Sequence, residues 1–155
     1  MAYLARRMKN KAILLFIILI AFQSCQEKQD KNTALFSNYL IKEFNTQIPD
    51  SLHYYILIPK LVCKGCSLNT LIELDTLMNA ENERCFTFIS TNEHISPKEF
   101  KRARFIEYDT RGKLDDLDLD IANVTVVKTR HNKVVFIKPI YIDEKRPLSE
   151  IITFE

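Results

Sequence analysis

Tyr54-Tyr55-Ile56-Leu57-Ile58, followed a few residues later by Cys63-Lys64-Gly65-Cys66, is the stretch on which the reading of this chain turns. Five consecutive apolar residues suit a strand buried on both faces, so residues 53–58 are expected near the centre of a sheet. Beyond the cysteines, Leu68, Leu71, Ile72, Leu74, Leu77 and Met78 form an apolar stripe at helical spacing, which places a helix start at or beside Cys63. Two thiols separated by two residues at a strand–helix junction can pass reversibly between dithiol and disulfide. The chain has only two glycines, Gly65 and Gly112. One of them lies between these cysteines, which suggests a tight backbone turn.

Working outward, Leu35, Phe36, Tyr39, Leu40 and Phe44 predict an amphipathic helix over residues 33–45, ended by Pro49-Asp50-Ser51. Downstream, Cys85 to Ile89 reads as a second strand. Ser96-Pro97-Lys98-Glu99 reads as a helix start, with Ser as cap, Pro in the first turn and Glu three residues on. Arg104 to Tyr108 reads as a third strand. An acidic connection from Asp109 to Asp120 follows, with a helical turn expected at Leu114 to Leu119. Val124-Thr125-Val126-Val127 and Val134-Val135-Phe136-Ile137 flank Arg130-His131-Asn132 as a hairpin, and a short helix is expected from Pro147 to Phe154. Alternating elements followed by an antiparallel hairpin define an α/β chain, with a central mixed β-sheet flanked by helices and an extra N-terminal helix.

The first 24 residues read as an address. Arg6, Arg7, Lys9 and Lys11 precede the 11-residue apolar run Ala12 to Phe22, which suits a signal-peptide core and is short for a spanning helix of about 20 residues. Cys25 follows Ser24 and precedes the polar stretch from Gln26 to Asn32. This arrangement resembles the lipobox of bacterial lipoproteins, with Phe22 where an aliphatic residue is usual. The resemblance implies cleavage before Cys25, lipidation of Cys25 and a membrane-anchored, extracytoplasmic domain facing the periplasm. The expected division is 1–24 signal peptide, 25–32 tether and 33–155 folded domain. Losing the leader removes four basic residues and no acidic ones, so the formal charge falls from +2 to −2 over 131 residues. A near-neutral domain gives no electrostatic reason to expect nucleic acid.

Three thiols then remain, Cys63, Cys66 and Cys85, in a compartment that permits disulfides. A close pair and a distant third do not make a stapling framework. The pair could be half of a zinc site. However, no second CxxC exists, and Cys85, His53, His94 and His131 lack finger spacing, so no metal is assigned. Ser67 stands where a c-type haem motif needs His. Cys85, beside Phe86, Phe88 and Ile89, reads as a core thiol, and His131 as a solvated turn residue. Asp115, Asp116, Asp118 and Asp120 lack a calcium-loop pattern and read as a solvated face.

The order of elements over residues 50–155 resembles the thioredoxin-like fold, in particular the membrane-tethered, extracytoplasmic thioredoxin-like proteins of bacteria. The resemblance implies a thiol–disulfide oxidoreductase that needs no cofactor and acts on protein thiols and disulfides together with a redox partner. Carried over by position, Cys63 is the nucleophile and Cys66 the resolving thiol, with Val62, Lys64, Gly65 and Val124 as their neighbours. A helix N-terminus and Lys64 would both favour a Cys63 thiolate. The chain departs from the family in having Val62 where many members have Trp, Leu57 where some have a buried acid, and Val124 where members have a cis-proline. Lys60 takes the place of the threonine of the peroxiredoxin pattern. A cis bond before a non-proline residue costs about 2.5–4 kcal/mol, so a trans bond is expected at Val124. A non-catalytic module of the same fold, binding a partner protein or a metal, is the competing reading.

Overall fold

The computed structural model describes residues 29–62, 64–91, 106–119, 121, 123–141 and 148–153, with the backbone alone described for Lys64, Cys66, Ser67 and Ile106. The expected signal peptide, Cys25, Cys63 and the expected helix start at Ser96 lie outside the described residues.

Helix α1 runs through residues 29–44, strand β1 spans His53–Ile58 and helix α2 spans Lys64–Leu77. Strands β2 (Phe86–Ser90), β3 (Ile106–Tyr108), β4 (Thr125–Arg130) and β5 (Lys133–Pro139) follow. The five strands form one mixed sheet in the order β3-β2-β1-β4-β5. β1 pairs parallel with β2 and antiparallel with β4, while β2 pairs parallel with β3. The chain is therefore an α/β protein with β1 at the middle of its sheet.

The apolar run of β1 feeds two cores at once. Tyr54, Ile56 and Ile58 pack with Phe86 and Phe88 of β2, Val126 of β4, and Leu71, Leu74 and Met78 of the α2 region. Tyr55 and Leu57 point the other way, joining Ile89, Val127, Val134 and the α1 residues Phe36, Tyr39 and Leu40. Alternate side chains of a strand face opposite sides, so burial of every residue from Tyr54 to Ile58 requires cover on both faces. Each large apolar side chain so buried contributes about 1.5–3 kcal/mol before chain entropy is set against it.

Element ends follow local chemistry. α1 ends at Asn45, whose φ of 52° lets its N–H and that of Thr46 bond back to the Ile41 and Leu40 carbonyls. Near its other end, Thr33 accepts from the Val134 N–H at 3.1 Å, and Gln29 donates to the Val134 carbonyl at 2.9 Å. Both side chains thereby cover part of the free edge of β5. After α2, Asn79 and Asn82 cap the turn reciprocally: the Asn79 N–H bonds Asn82 Oδ1 at 2.7 Å, and the Asn82 N–H bonds Asn79 Oδ1 at 2.9 Å. The β4–β5 turn places His131 and Asn132 at φ 53° and 59°, the two positive values that a tight two-residue hairpin turn demands.

Several boundaries differ from expectation. Cys85 does not open β2; it closes a 3-10 turn over Glu83–Cys85, held by its own N–H on the Asn82 carbonyl at 2.9 Å. It is half-buried against the α2-side core. The expected helical turn at 114–119 is instead a series of i→i+3 turns led by Gly112 at φ 66°. The C-terminal segment has a 3-10 turn at Leu148–Glu150, with Leu148, Ile151 and Ile152 buried in the α2-side core.

Candidate functional site

The segment between β1 and α2 leads into the cysteine motif, whose last three residues, Lys64, Gly65 and Cys66, open α2. Ile58 ends the strand, and its carbonyl accepts from the Thr91 N–H at 3.1 Å, tying the ends of β1 and β2 together. Pro59 to Val62 then turn back, with the Val62 N–H on the Pro59 carbonyl at 3.3 Å. Val62 is 7% exposed and belongs to the α2-side core, whereas Leu61 projects into solvent at 95%. This one-in, one-out arrangement anchors the residue directly before Cys63. Asp115 Oδ1 accepts from the Lys60 N–H at 3.1 Å and joins the loop to the acidic connection.

Of the sequence-predicted site residues, Cys63 lies outside the described residues, as does Cys25, and Cys66 is described only as helical backbone. Lys64 is the first residue of α2. Gly65 lies in the first turn of α2, its φ is not positive, and a Cβ built there meets nothing within 4 Å. The tight turn expected of it is therefore corrected: the helix asks for no special backbone at this position. Gly112, not Gly65, is the glycine that uses a left-handed conformation.

Val124 is 2% exposed and shares the α2-side core with Val62. It directly precedes β4, whose first residue, Thr125, pairs with Leu57 near the end of β1. Sheet geometry thus brings Val124 to the same end of the sheet as the cysteine motif. Peptide bonds between described residues are all trans, Asn123–Val124 included. The Val124 carbonyl accepts from the Ile140 N–H at 2.7 Å. Cys85, by contrast, adjoins Phe86, the partner of Tyr54 at the opposite end of β1. Four residues of strand, about 13 Å, separate that level from the end of β1.

Two groups to which the sequence assigned no role, Asp109 and His53, organise the α1 side of the sheet. Asp109 is 4% exposed. It accepts from the Tyr39 hydroxyl at 3.0 Å, the Leu114 N–H at 2.6 Å and the Arg111 N–H at 3.1 Å. Burial, and then the Asp109 charge, push the Tyr39 hydroxyl pKa far above its ordinary value, so it stays a donor. His53, at the start of β1, bonds Thr87 Oγ1 through Nε2 at 2.9 Å and lies 4.7 Å from the Tyr55 ring. Burial lowers the His53 pKa to about 4, leaving a neutral imidazole at pH 7. In the sequence, the place of His53 directly before the apolar run is the signal for its burial.

Among the described residues, no three His, Cys, Asp or Glu side chains gather as a metal site, and no helix is long and apolar enough to cross a membrane. No protein-family model matches the chain, and neither a curated protein nor a solved structure does.

Proposed function

We propose that this chain is a membrane-tethered, thioredoxin-like thiol–disulfide oxidoreductase that works through Cys63 and Cys66 on extracytoplasmic proteins. The observation that carries the reading is the position of CxxC in the chain. It follows the central strand β1 and opens α2, in a β1-α2-β2 unit whose strands are parallel and whose other flank is the antiparallel β4–β5 hairpin. Such units keep reactive groups beyond the carboxyl ends of their strands.

In the proposed reaction the Cys63 thiolate attacks one sulfur of a substrate disulfide. A new S–S bond forms, the substrate bond breaks, and the other substrate sulfur leaves as a thiolate. The Cys66 thiolate then attacks the Cys63 sulfur and expels the second substrate thiolate. The substrate gains two electrons and the pair loses them; the reverse sequence oxidises a dithiol. Which direction operates depends on the potential of the pair and on the protein that exchanges electrons with it. The peptide N–H groups at the start of α2 favour the thiolate form of the preceding cysteine.

The buried, trans-linked Val124 favours a second reading, in which the same fold binds a partner protein without exchange. Trapping separates the two. Cells producing the Cys66→Ser variant should accumulate mixed disulfides on Cys63, and the added Cys63→Ser change should remove them. Equal adduct levels in both variants would leave only the binding module. Tethering is tested in the same cells: Cys25→Ala should release the protein from the membrane or leave its leader uncleaved, and unchanged membrane attachment with normal processing would reject lipidation.

A further inference from the structure

We propose that the cleft bounded by the C-terminal half of α1, the loop joining α1 to β1, and the neighbouring faces of β1, β2 and β3 binds a small zwitterion with an apolar body, of amino-acid to dipeptide size. This site is distinct from the cysteine motif. The motif follows the carboxyl end of β1, whereas the cleft lies on the α1 face and reaches His53 and Thr87 at the other end of the strands.

The topology accounts for the opening. Register places Tyr55 beside Thr87 and Ile89 beside Glu107, so these side chains share the α1 face. α1 covers β1 and β4 on that face, where Phe36 packs edge-on to Tyr55 at 5.0 Å. Towards β2 and β3, Leu40 and Phe44 of the helix form one wall of a cleft of about 400 Å³. That volume falls within the usual range for small-molecule sites. The opposite wall is held in place, because the Pro49 and Asp50 carbonyls accept from the Asn132 and His131 N–H groups of the β4–β5 turn. A wall fixed in advance lowers the ordering cost of binding.

Charge selects the class of ligand. Arg84 lies just before β2 and Glu107 lies on β3, and both line the cleft. Among the described residues, neither side chain forms a salt bridge or hydrogen bond, with the other or with any neighbour. A guanidinium and a carboxylate that share a cavity without pairing suit a ligand carrying one charge of each sign. The rest of the lining is neutral. Burial keeps the His53 imidazole uncharged and pushes the Tyr55 hydroxyl up to about 12. His53 Nε2 is engaged by Thr87, and Nδ1 has no partner among the described residues. A carboxylate at Arg84, an ammonium at Glu107 and an apolar body against Leu40, Phe44 and Ile89 would satisfy all three regions. A dianion or a dication would set a like charge against one end.

Calorimetry on the purified full chain tests this, with free phenylalanine, alanyl-phenylalanine and the N-acetylated and C-amidated forms of each. Saturable one-to-one binding of at least one zwitterionic probe is expected. N-acetylation should weaken it about tenfold, which is about 1.4 kcal/mol, in the native chain and no further in Glu107→Gln. Amidation should do the same with respect to Arg84→Gln. Both substitutions fall at exposed positions, so the fold should persist, and Cys63→Ser should bind as the native chain does. The proposal is overturned if neither zwitterion binds at millimolar concentration, or if binding is indifferent to both substitutions.

Discussion

Asp109 and His53 show at single residues how burial gives a polar group its role. Asp109 draws together a helix and a turn 70 positions apart in sequence, through the Tyr39 hydroxyl and the Leu114 N–H. Hydrogen bonds to a buried charge contribute about 1.5–3 kcal/mol each. In the sequence it is only the first aspartate of the acidic connection, and nothing in its spacing separates it from the exposed Asp115 and Asp116. Burial arises from a tertiary meeting that local pattern does not encode. His53 carries a testable sign. Its pKa falls from 6.5 to about 4 on folding, so the unfolded chain binds more protons between those values. The stability this residue contributes is complete above pH 6.5 and is lost as pH falls towards 4, a change on the order of 1–3 kcal/mol. Urea unfolding of the native chain and of His53→Gln at pH 7.5 and 4.5 measures the difference. The native chain should lose more stability on acidification than the variant, and equal losses would show that His53 is not protonated on unfolding.

At the scale of elements, the strength of the apolar pattern decided what could be read. β1 spans His53–Ile58, the bounds expected from the apolar run Tyr54 to Ile58 and its neighbour His53, because a run buried on both faces leaves no alternative register. The Arg130-His131-Asn132 hairpin was equally plain. Cys85 has the pattern of a strand residue because its apolar neighbours hide the 3-10 turn closed by its own N–H. The alternation of Leu114, Leu117 and Leu119 with aspartates imitated a helix, yet the left-handed Gly112 sets a chain of tight turns there, with Leu114 alone fully buried. Gly65 differs in the opposite sense: its place between the cysteines predicts a turn, yet it occupies an unstrained helical position. Gly65→Ala should therefore raise stability by about 0.5–1 kcal/mol, by restricting the unfolded chain and removing a weak helix former. Denaturant unfolding measures it, and a lowered midpoint would mean that α2 needs glycine between the cysteines.

For the molecule as a whole, one central strand joins two cores, and every feature of the proposed activity refers to the end of that strand. Val62 and Val124 are buried in the same core there, and Leu61 is left in solvent beside the motif. The two cysteines, their spacing and the elements on either side were legible in the sequence. The Asp115 bond to Lys60 and the cleft around His53 were not, since both depend on segments that meet only after folding. The central claim is that Cys63 and Cys66 exchange electrons reversibly. Its most direct test is to equilibrate the purified chain with glutathione buffers across a range of ratios, quench with acid, and measure the Cys63–Cys66 disulfide by mass spectrometry. The account predicts a single reversible two-electron transition reached from both the reduced and the oxidised chain, with Cys85 remaining a thiol. A pair that stays wholly reduced or wholly oxidised across the series would contradict it.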